Sequence, residues 1–421
     1  MGKTIIEKIA SNKLGREVKA GERVWLPLDL IVIRDFAGPN AILQFEEVTG
    51  GKGKVFDPER IAITFDYQVP AKDEKVANNQ KICRDFAERQ GIKYFFDVNA
   101  GIGQHVLLEK GLITPGSVVI GTDSHMNLLG AVESFSTGVG NTDIVAGFIL
   151  GKLWFRIPQS VKVVFNGRLE YPVTSKDVTL FFVSEFGGDG ANYLSIEFSG
   201  EVIDSFSLAD RITLASMVTE TGGKIGFIVP NEEIKTFLEE RSRSKVEVID
   251  PDSDANYLEV REYDISDLEP LVSCPHVPEN VKKVRELKGV KVDEVFIGSC
   301  TNGRYEDFKL AYDYLLKVGK EFNPKVKVIF TPATKEVTLR LLEEGIAKAF
   351  VEAGGVLTNP GCSLCTIGHH GILAKGEVLL STSNRNFQGK LGKGSYVYLC
   401  SPLTAIASAI TGEITDPRDL L

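Results

Sequence analysis

Two loops must meet before the thiols of this chain make chemical sense: Gly298-Ser-Cys-Thr-Asn302 and Asn359-Pro-Gly-Cys-Ser-Leu-Cys365. Cys300 follows the apolar run Glu294-Val-Phe-Ile-Gly298, which reads as a buried strand, so its thiol belongs to the loop after that strand. Cys362 and Cys365 form a Cys-x-x-Cys pair, spaced to hold one metal centre. Three thiolates leave a tetrahedral zinc site one ligand short. They can instead hold a cubic iron–sulfur cluster by three corners and leave the fourth iron open. An open metal position is what Lewis-acid catalysis needs. The residues alone equally allow a zinc site completed by His369 or His370, a redox-active Cys-x-x-Cys, or three unrelated core cysteines.

The other three cysteines do not suggest a disulfide framework, since six in 421 residues is sparse. With no signal-peptide core in Met1-Gly-Lys-Thr-Ile-Ile-Glu-Lys8, reduced thiols and a cytoplasmic location are expected. No apolar run reaches transmembrane length, so no membrane partner is expected. Hydrophobic residues at 43% and charged residues at 25% are those of a globular enzyme of several domains. A net charge of −9, without basic runs, argues against nucleic acid as a partner. It does not argue against an anionic substrate, which a few local arginines decide.

Read in order, Thr4-Ile-Ile-Glu7 is a capping box opening a helix with Ile5, Ile6 and Ile9 on one face. Short apolar runs at Leu28–Ile33, Ile61–Phe65 and Val118–Gly121 read as strands, and the last two deliver Asp66 and then Asp123 with His125. Strands that each hand a polar residue to a loop are how α/β enzymes assemble a crevice. Cys83 reads as a core residue of the helix between them. Gly138-Val-Gly140 lacks the third glycine of a phosphate-binding turn and no clear strand precedes it, so it reads as a tight turn into a helix near Asp143. Arg241 to Asn280, charged and holding several prolines, reads as an inter-domain connection. The final third alternates: strand Glu294–Gly298, helix Tyr305–Val318, strand Val326–Phe330, helix Lys335–Ala353, the Cys-x-x-Cys loop, then strand Ser395–Leu399. That pattern predicts a mainly parallel sheet.

Gly298-Ser-Cys-Thr-Asn-Gly-Arg304, Asn359-Pro-Gly-Cys-x-x-Cys365 and Ser383-Asn-Arg-Asn-Phe-x-Gly389 resemble, in order, three motifs of the aconitase superfamily. Gly121-Thr-Asp-Ser-His125 is similar to a fourth, and the resemblance runs from about Ile5 to the C-terminus. Gly-Arg after Ser-Cys-Thr-Asn is nearest to the large subunits of the 3-isopropylmalate dehydratase and homoaconitase branch. The resemblance implies three α/β domains, 1–130, 131–283 and 284–421, packed around one [4Fe-4S] cluster held by Cys300, Cys362 and Cys365, with one iron not ligated by cysteine. It also implies a missing fourth, mobile swivel domain with a catalytic serine. That piece is expected on a separate small subunit, in a heterodimer or heterotetramer, without which this chain is inactive.

The implied reaction is reversible dehydration and rehydration of a hydroxy di- or tricarboxylic acid. Conversion of 3-isopropylmalate to 2-isopropylmalate in leucine biosynthesis comes first; homoaconitate and methylated malates stay open, and a non-catalytic metal-stapled binding protein is the rival of another class. The resemblance casts His125 as proton carrier with Asp123 and Glu220 beside it, Asp66 and His105 as further catalytic groups, and Arg385, Lys390, Ser124 and Arg304 as substrate-binding. Asn302 and Asn384 are expected beside the cluster. The chain departs from the family at Tyr67, where a histidine is usual, at Gln104-His105, where the order is inverted, and at Lys390, where arginine is common. Recognition of the substrate's side chain is expected on the small subunit.

Overall fold

The computed structural model describes residues 2–421 except Arg243, Lys320, Ile367 and Gly368. Its helices and strands build three sheets whose strands are mostly parallel, plus a two-stranded antiparallel ribbon pairing Arg23–Pro27 with Lys152–Arg156. Among the described residues no helix is long and apolar enough to cross a membrane.

The first sheet has five parallel strands in the order Tyr94–Phe96, Ile61–Thr64, Leu30–Arg34, Val118–Gly121 and Phe135–Gly138. Parallel neighbours need crossover connections, and helices such as Gly38–Val48 and Glu74–Gln90 supply them. Helix cover on both faces explains why the central strands are apolar without alternation: Leu30–Arg34 and Ile61–Thr64 are buried at every position. The expected capping box is present, with the Thr4 N–H donating to Glu7 Oε2 at 2.9 Å ahead of helix Ile5–Leu14. Cys83 is a buried core residue of helix Glu74–Gln90, as expected. The limit expected at residue 130 falls within the turn Met126–Val132, and this sheet continues to Gly138.

Gly138-Val-Gly140 does follow a strand, contrary to the sequence reading; Phe135-Ser-Thr-Gly is too short and polar to show an apolar pattern. The helix after it runs Asn141–Leu150 with Gly140 as its cap.

The second sheet orders Ile225–Ile228, Ser195–Ser199, Ser160–Asn166 and Glu259–Asp264, all parallel. The stretch from Arg241 to Asn280 is therefore more than a connection: it supplies an edge strand here and strand Leu271–Ser273 to the third sheet. Glu259–Asp264 keeps its outer side in solvent, so its sequence carries charges where a central strand would be apolar.

The third sheet orders Val281–Lys283, Leu271–Ser273, Tyr396–Cys400, Val378–Ser381, Glu294–Ile297, Lys327–Phe330 and Val356–Leu357. The last five are mutually parallel and Leu271–Ser273 pairs antiparallel with both its neighbours, matching the mainly parallel sheet expected. Helix Tyr305–Val318 stands where the periodicity put it. The single helix expected over 335–353 is two, Lys335–Glu343 and Ile346–Glu352, because Gly345 adopts φ 74° and turns the chain between them.

Candidate active site

Carboxyl ends of parallel strands from the first and third sheets converge on one cavity. From the first sheet come the loops after Leu30–Arg34, Ile61–Thr64 and Val118–Gly121. From the third come the loops after Glu294–Ile297, Val356–Leu357 and Val378–Ser381. Cys300, Cys362 and Cys365 all line this cavity of about 360 Å³.

The sulfurs are held from several sides. Asn384 Oδ1 lies 3.6 Å from Cys300 Sγ and 3.8 Å from Cys365 Sγ, so one amide spans two of the three thiols. Asn384 Nδ2 in turn donates to Ser216 Oγ at 2.9 Å. The Cys362 N–H donates to the Asp66 carbonyl at 2.8 Å, tying the Cys-x-x-Cys loop to the first sheet. Lys176, fully buried, donates to the Thr382 and Ser383 carbonyls at 2.7 and 3.0 Å and fixes the Asn384 loop from below. Burial, with Cys365 adding to it, pushes the Cys300 thiol up to about 12. Burial disfavours a free thiolate at Cys300, and a bound metal cation would offset that cost. His369 does not line the cavity; its Nδ1 lies 3.4 Å from Ser363 Oγ. Among the described residues no three His, Cys, Asp or Glu side chains stand close enough to grip a single metal ion.

Arg34 binds the two halves together. Its Nε donates to Asp66 Oδ1 at 2.8 Å, its Nη2 to Cys362 Sγ at 2.9 Å, and its Nη1 pairs with the Asp123 carboxylate. The neighbouring Asp35 carboxylate accepts the N–H groups of Asp66, Tyr67 and Gln68 at 3.2, 3.0 and 3.1 Å, which locks two adjacent loops. Asp66 lies behind the cavity wall, and its other oxygen accepts the Gly103 N–H at 2.7 Å. Burial raises its carboxyl above the usual range, with Arg34 working in the opposite direction.

On the opposite wall His125 Nε2 and Glu220 Oε1 are 2.8 Å apart, and Arg385 Nε donates to both Glu220 oxygens at 2.7 and 3.0 Å. His125 Nδ1 lies 3.2 Å from Ser124 Oγ, which accepts from Arg385 Nη1 at 3.1 Å. Asp123 receives the His125 backbone N–H at 2.6 Å and so sets the loop. Burial lowers the His125 pKa, with the Glu220 hydrogen bond opposing it. Burial works to raise the Glu220 carboxyl, but His125 and Arg385 together hold it below the usual range. The consistent assignment is a neutral imidazole donating Nε2–H to Glu220, with Nδ1 as acceptor from the Ser124 hydroxyl. Lys390 lines the same wall, its Nζ donating to the Arg385 carbonyl at 2.5 Å, and burial lowers its pKa.

Three expected residues face elsewhere. His105 is fully buried behind the cysteine loop, its Nε2 3.0 Å from the Cys300 carbonyl, in helix Gly103–Glu109, which is buried from Gly103 to Leu108. Neither it nor Gln104 lines the cavity. Arg304, capping helix Tyr305–Val318, opens onto a separate cavity beside Glu109, Arg241 and Glu336. Asn302 Nδ2 donates to Asp307 Oδ1 at 2.8 Å, stiffening the turn after Cys300 from the far side. Sequence reasoning passed over Arg34, Asp35, Lys176 and Ser216. Only Arg34-Asp35 carried a signal, a charged pair at the end of an apolar strand.

The aconitase family (aconitate hydratase) model matches residues 7–412. The chain is 45% identical to a 3-isopropylmalate dehydratase large subunit 1 of Methanopyrus kandleri, over all of both chains. It is 44% identical to a probable 3-isopropylmalate dehydratase large subunit of Methanothermobacter thermautotrophicus, again over all of both, and 43% identical to a 3-isopropylmalate dehydratase large subunit of Aquifex aeolicus, over all of this chain and 98% of that one. Among solved structures, aconitase X of Thermococcus kodakaraensis shares the fold, with TM-score 0.51 and 12% identity across 91% of this chain and 90% of the other. Four motifs in order, the converging strand ends and full-length relatives agree: the chain belongs to the aconitase family.

Proposed function

We propose that this chain is the catalytic large subunit of a 3-isopropylmalate dehydratase, a hydro-lyase that interconverts 3- and 2-isopropylmalate through an unsaturated acid. The observation that carries the reading is the His125–Glu220–Arg385 array facing Cys300, Cys362 and Cys365 across one cavity. Membership of the family implies an iron–sulfur cluster, and three thiols lining one cavity fit one. They would hold a [4Fe-4S] cluster with one iron left free of cysteine. Bound there, the cluster supplies a Lewis acid that makes a hydroxyl easier to expel.

The protein's own groups handle charge and protons. Arg385 has spent Nε on Glu220, which leaves the Nη end of its guanidinium toward the cavity for a substrate carboxylate. Lys390 adds a second positive charge on the same wall, balancing the charge that builds on that carboxylate as the α-proton leaves. His125 takes and returns a proton at Nδ1, with Glu220 stabilising the imidazolium through Nε2. The relatives are named as large subunits. A separate small subunit would accordingly complete the site with the mobile domain and its serine base, in a reducing cytoplasm.

The test is co-expression with the small subunit, anaerobic purification, analysis of iron and sulfide, and turnover of 3-isopropylmalate. Iron and sulfide near four each per chain with interconversion of the two acids is the expected result. Zinc in place of iron, or a loaded complex inert toward both acids, would sink the reading. Cys300→Ser is expected to lose the cluster and all turnover.

A further inference from the structure

Among the charged, hydroxyl and thiol side chains that line the cavity, two phenylalanines stand open. Phe36 is 55% exposed and Phe387 is 53% exposed, and both line the cavity that holds the three cysteines. A phenyl ring left in water forfeits apolar burial, at roughly 25 cal/mol for each Å². Two such rings beside the Arg385 and Lys390 charges are a surface suited to an apolar group.

The Phe36 ring is held by its neighbours, and the Phe387 backbone is tied into the Arg385 loop. Phe36 stacks on Tyr67 with centroids 4.4 Å apart. Tyr67 is gripped on its other sides by the Arg34 guanidinium, 4.9 Å from its centroid, and by Thr366, whose Oγ1 meets the tyrosine hydroxyl. The loops bearing Phe36 and Tyr67 are joined by the Asp35 carboxylate. Phe387 lies two residues beyond Arg385, and its carbonyl accepts the Lys390 N–H at 3.2 Å. An aromatic group therefore accompanies the carboxylate clamp on one loop, and a second, pre-stacked aromatic borders the cysteine loop.

We infer that Phe36, backed by Tyr67, and Phe387 form an apolar wall of this chain that receives the branched aliphatic substituent of the hydroxy-acid substrate. The inference rests on the reaction proposed above and adds a residue-level source of substrate choice within the large subunit itself. A dicarboxylic acid has its carboxylates and hydroxyl met by charged and metal-ligating groups. Only its alkyl branch lacks a partner there, and the two phenyl rings are the apolar surface the cavity offers it. The Tyr67 hydroxyl is engaged by Thr366, so it is not a free donor beside Phe36.

The test uses the loaded complex with its small subunit and compares 3-isopropylmalate with its 3-methyl analogue. Phe36→Ala and Phe387→Ala are each expected to lower kcat/KM for the isopropyl acid about tenfold or more relative to the methyl acid, the scale on which apolar pockets discriminate. Phe36→Leu should recover most of the ratio. Arg385→Lys, by contrast, should lower both acids alike. Iron content and affinity for the small subunit are measured beside each variant. Equal loss on both acids, no loss on either, or a loss confined to subunit affinity would overturn the wall; the last would make these rings a docking surface. A wild-type complex that turns over neither acid would instead overturn the proposed reaction.

Discussion

Arg34 touches a carboxylate on each of two loops and a sulfur on a third, all from a strand end that is 7% exposed. Replacing it by glutamine leaves Asp66 as a buried carboxylate without its cation, and breaking a buried pair from one side costs about 3–5 kcal/mol. Arg34→Gln should therefore lower the melting temperature and release iron during anaerobic purification. Arg34→Lys should fall between, since one ammonium cannot reproduce a fork that reaches three partners. Glu220 invites a separate test: Glu220→Gln keeps the shape but removes the charge that supports a protonated His125. It should lower kcat by about 10²- to 10⁴-fold at unchanged iron content, measured by steady-state turnover of the loaded complex. The contrast between these residues explains what could be read beforehand. The cysteines, His125 and Arg385 sit in short strings that resemble family motifs, which is what made them candidates. Arg34 finds its partners at positions 66, 123 and 362, which only the ordering of parallel strands brings together. His105 and Arg304 turn away from the cavity, the first in a helix buried from Gly103 to Leu108 and the second at the cap of helix Tyr305–Val318.

Elements position the site by close packing of backbone, and Gly138 shows how tightly. A Cβ there would lie 2.5 Å from the Asp123 carbonyl oxygen and 2.9 Å from Ser124 Cα. Both are backbone atoms, unable to rotate aside. Gly138→Ala should push the Asp123–His125 loop out of register and lower kcat by tenfold or more, given that displacement of about 1 Å can cost 10²-fold. Gly140→Ala is the comparison: nothing but Asp143 Oδ2, at 4.0 Å, is near its Cβ, so turnover should hold. Steady-state kinetics with circular dichroism on both variants decide the matter. Gly138 is thus a strand end pressed against the Asp123–His125 loop, and Gly140 the cap of the helix after it. The same reasoning separates the elements that sequence revealed from those it hid. Long periodic helices such as Tyr305–Val318, and strands buried on both faces such as Val118–Gly121, announce themselves. The edge strand Glu259–Asp264 is charged because one side meets solvent, and Val356–Leu357 is too short to carry any pattern. Pairing across a sheet, not local preference, makes both of them strands.

Across the whole molecule, buried carboxylates stitch segments far apart in sequence. Glu197 accepts the Ile5 N–H at 2.7 Å and the Tyr257 hydroxyl at 2.6 Å, and burial pushes it up to about 7. Glu133 is fully buried; one oxygen accepts the Ile249 N–H at 3.0 Å and the other has no hydrogen-bond partner. Burial pushes it up to about 8 from an ordinary 4.5. A carboxyl whose pKa is higher folded than unfolded holds its proton longer in the folded state. Between those two values folding therefore takes up protons, and stability falls as pH rises. For Glu133 that window runs from the ordinary carboxylate range up to about 8. Glu133→Gln keeps the acceptor for Ile249 and never ionises, so it removes this part of the slope. The variant's advantage over wild type should be about 2 kcal/mol at pH 6 and grow by about 2–3 kcal/mol more by pH 9. Thermal unfolding of both proteins at the two pH values reads this directly. Melting curves separated by the same interval at pH 6 and pH 9 would mean that Glu133 ionises as freely inside the fold as outside it, and that this seam between distant segments carries no charge penalty.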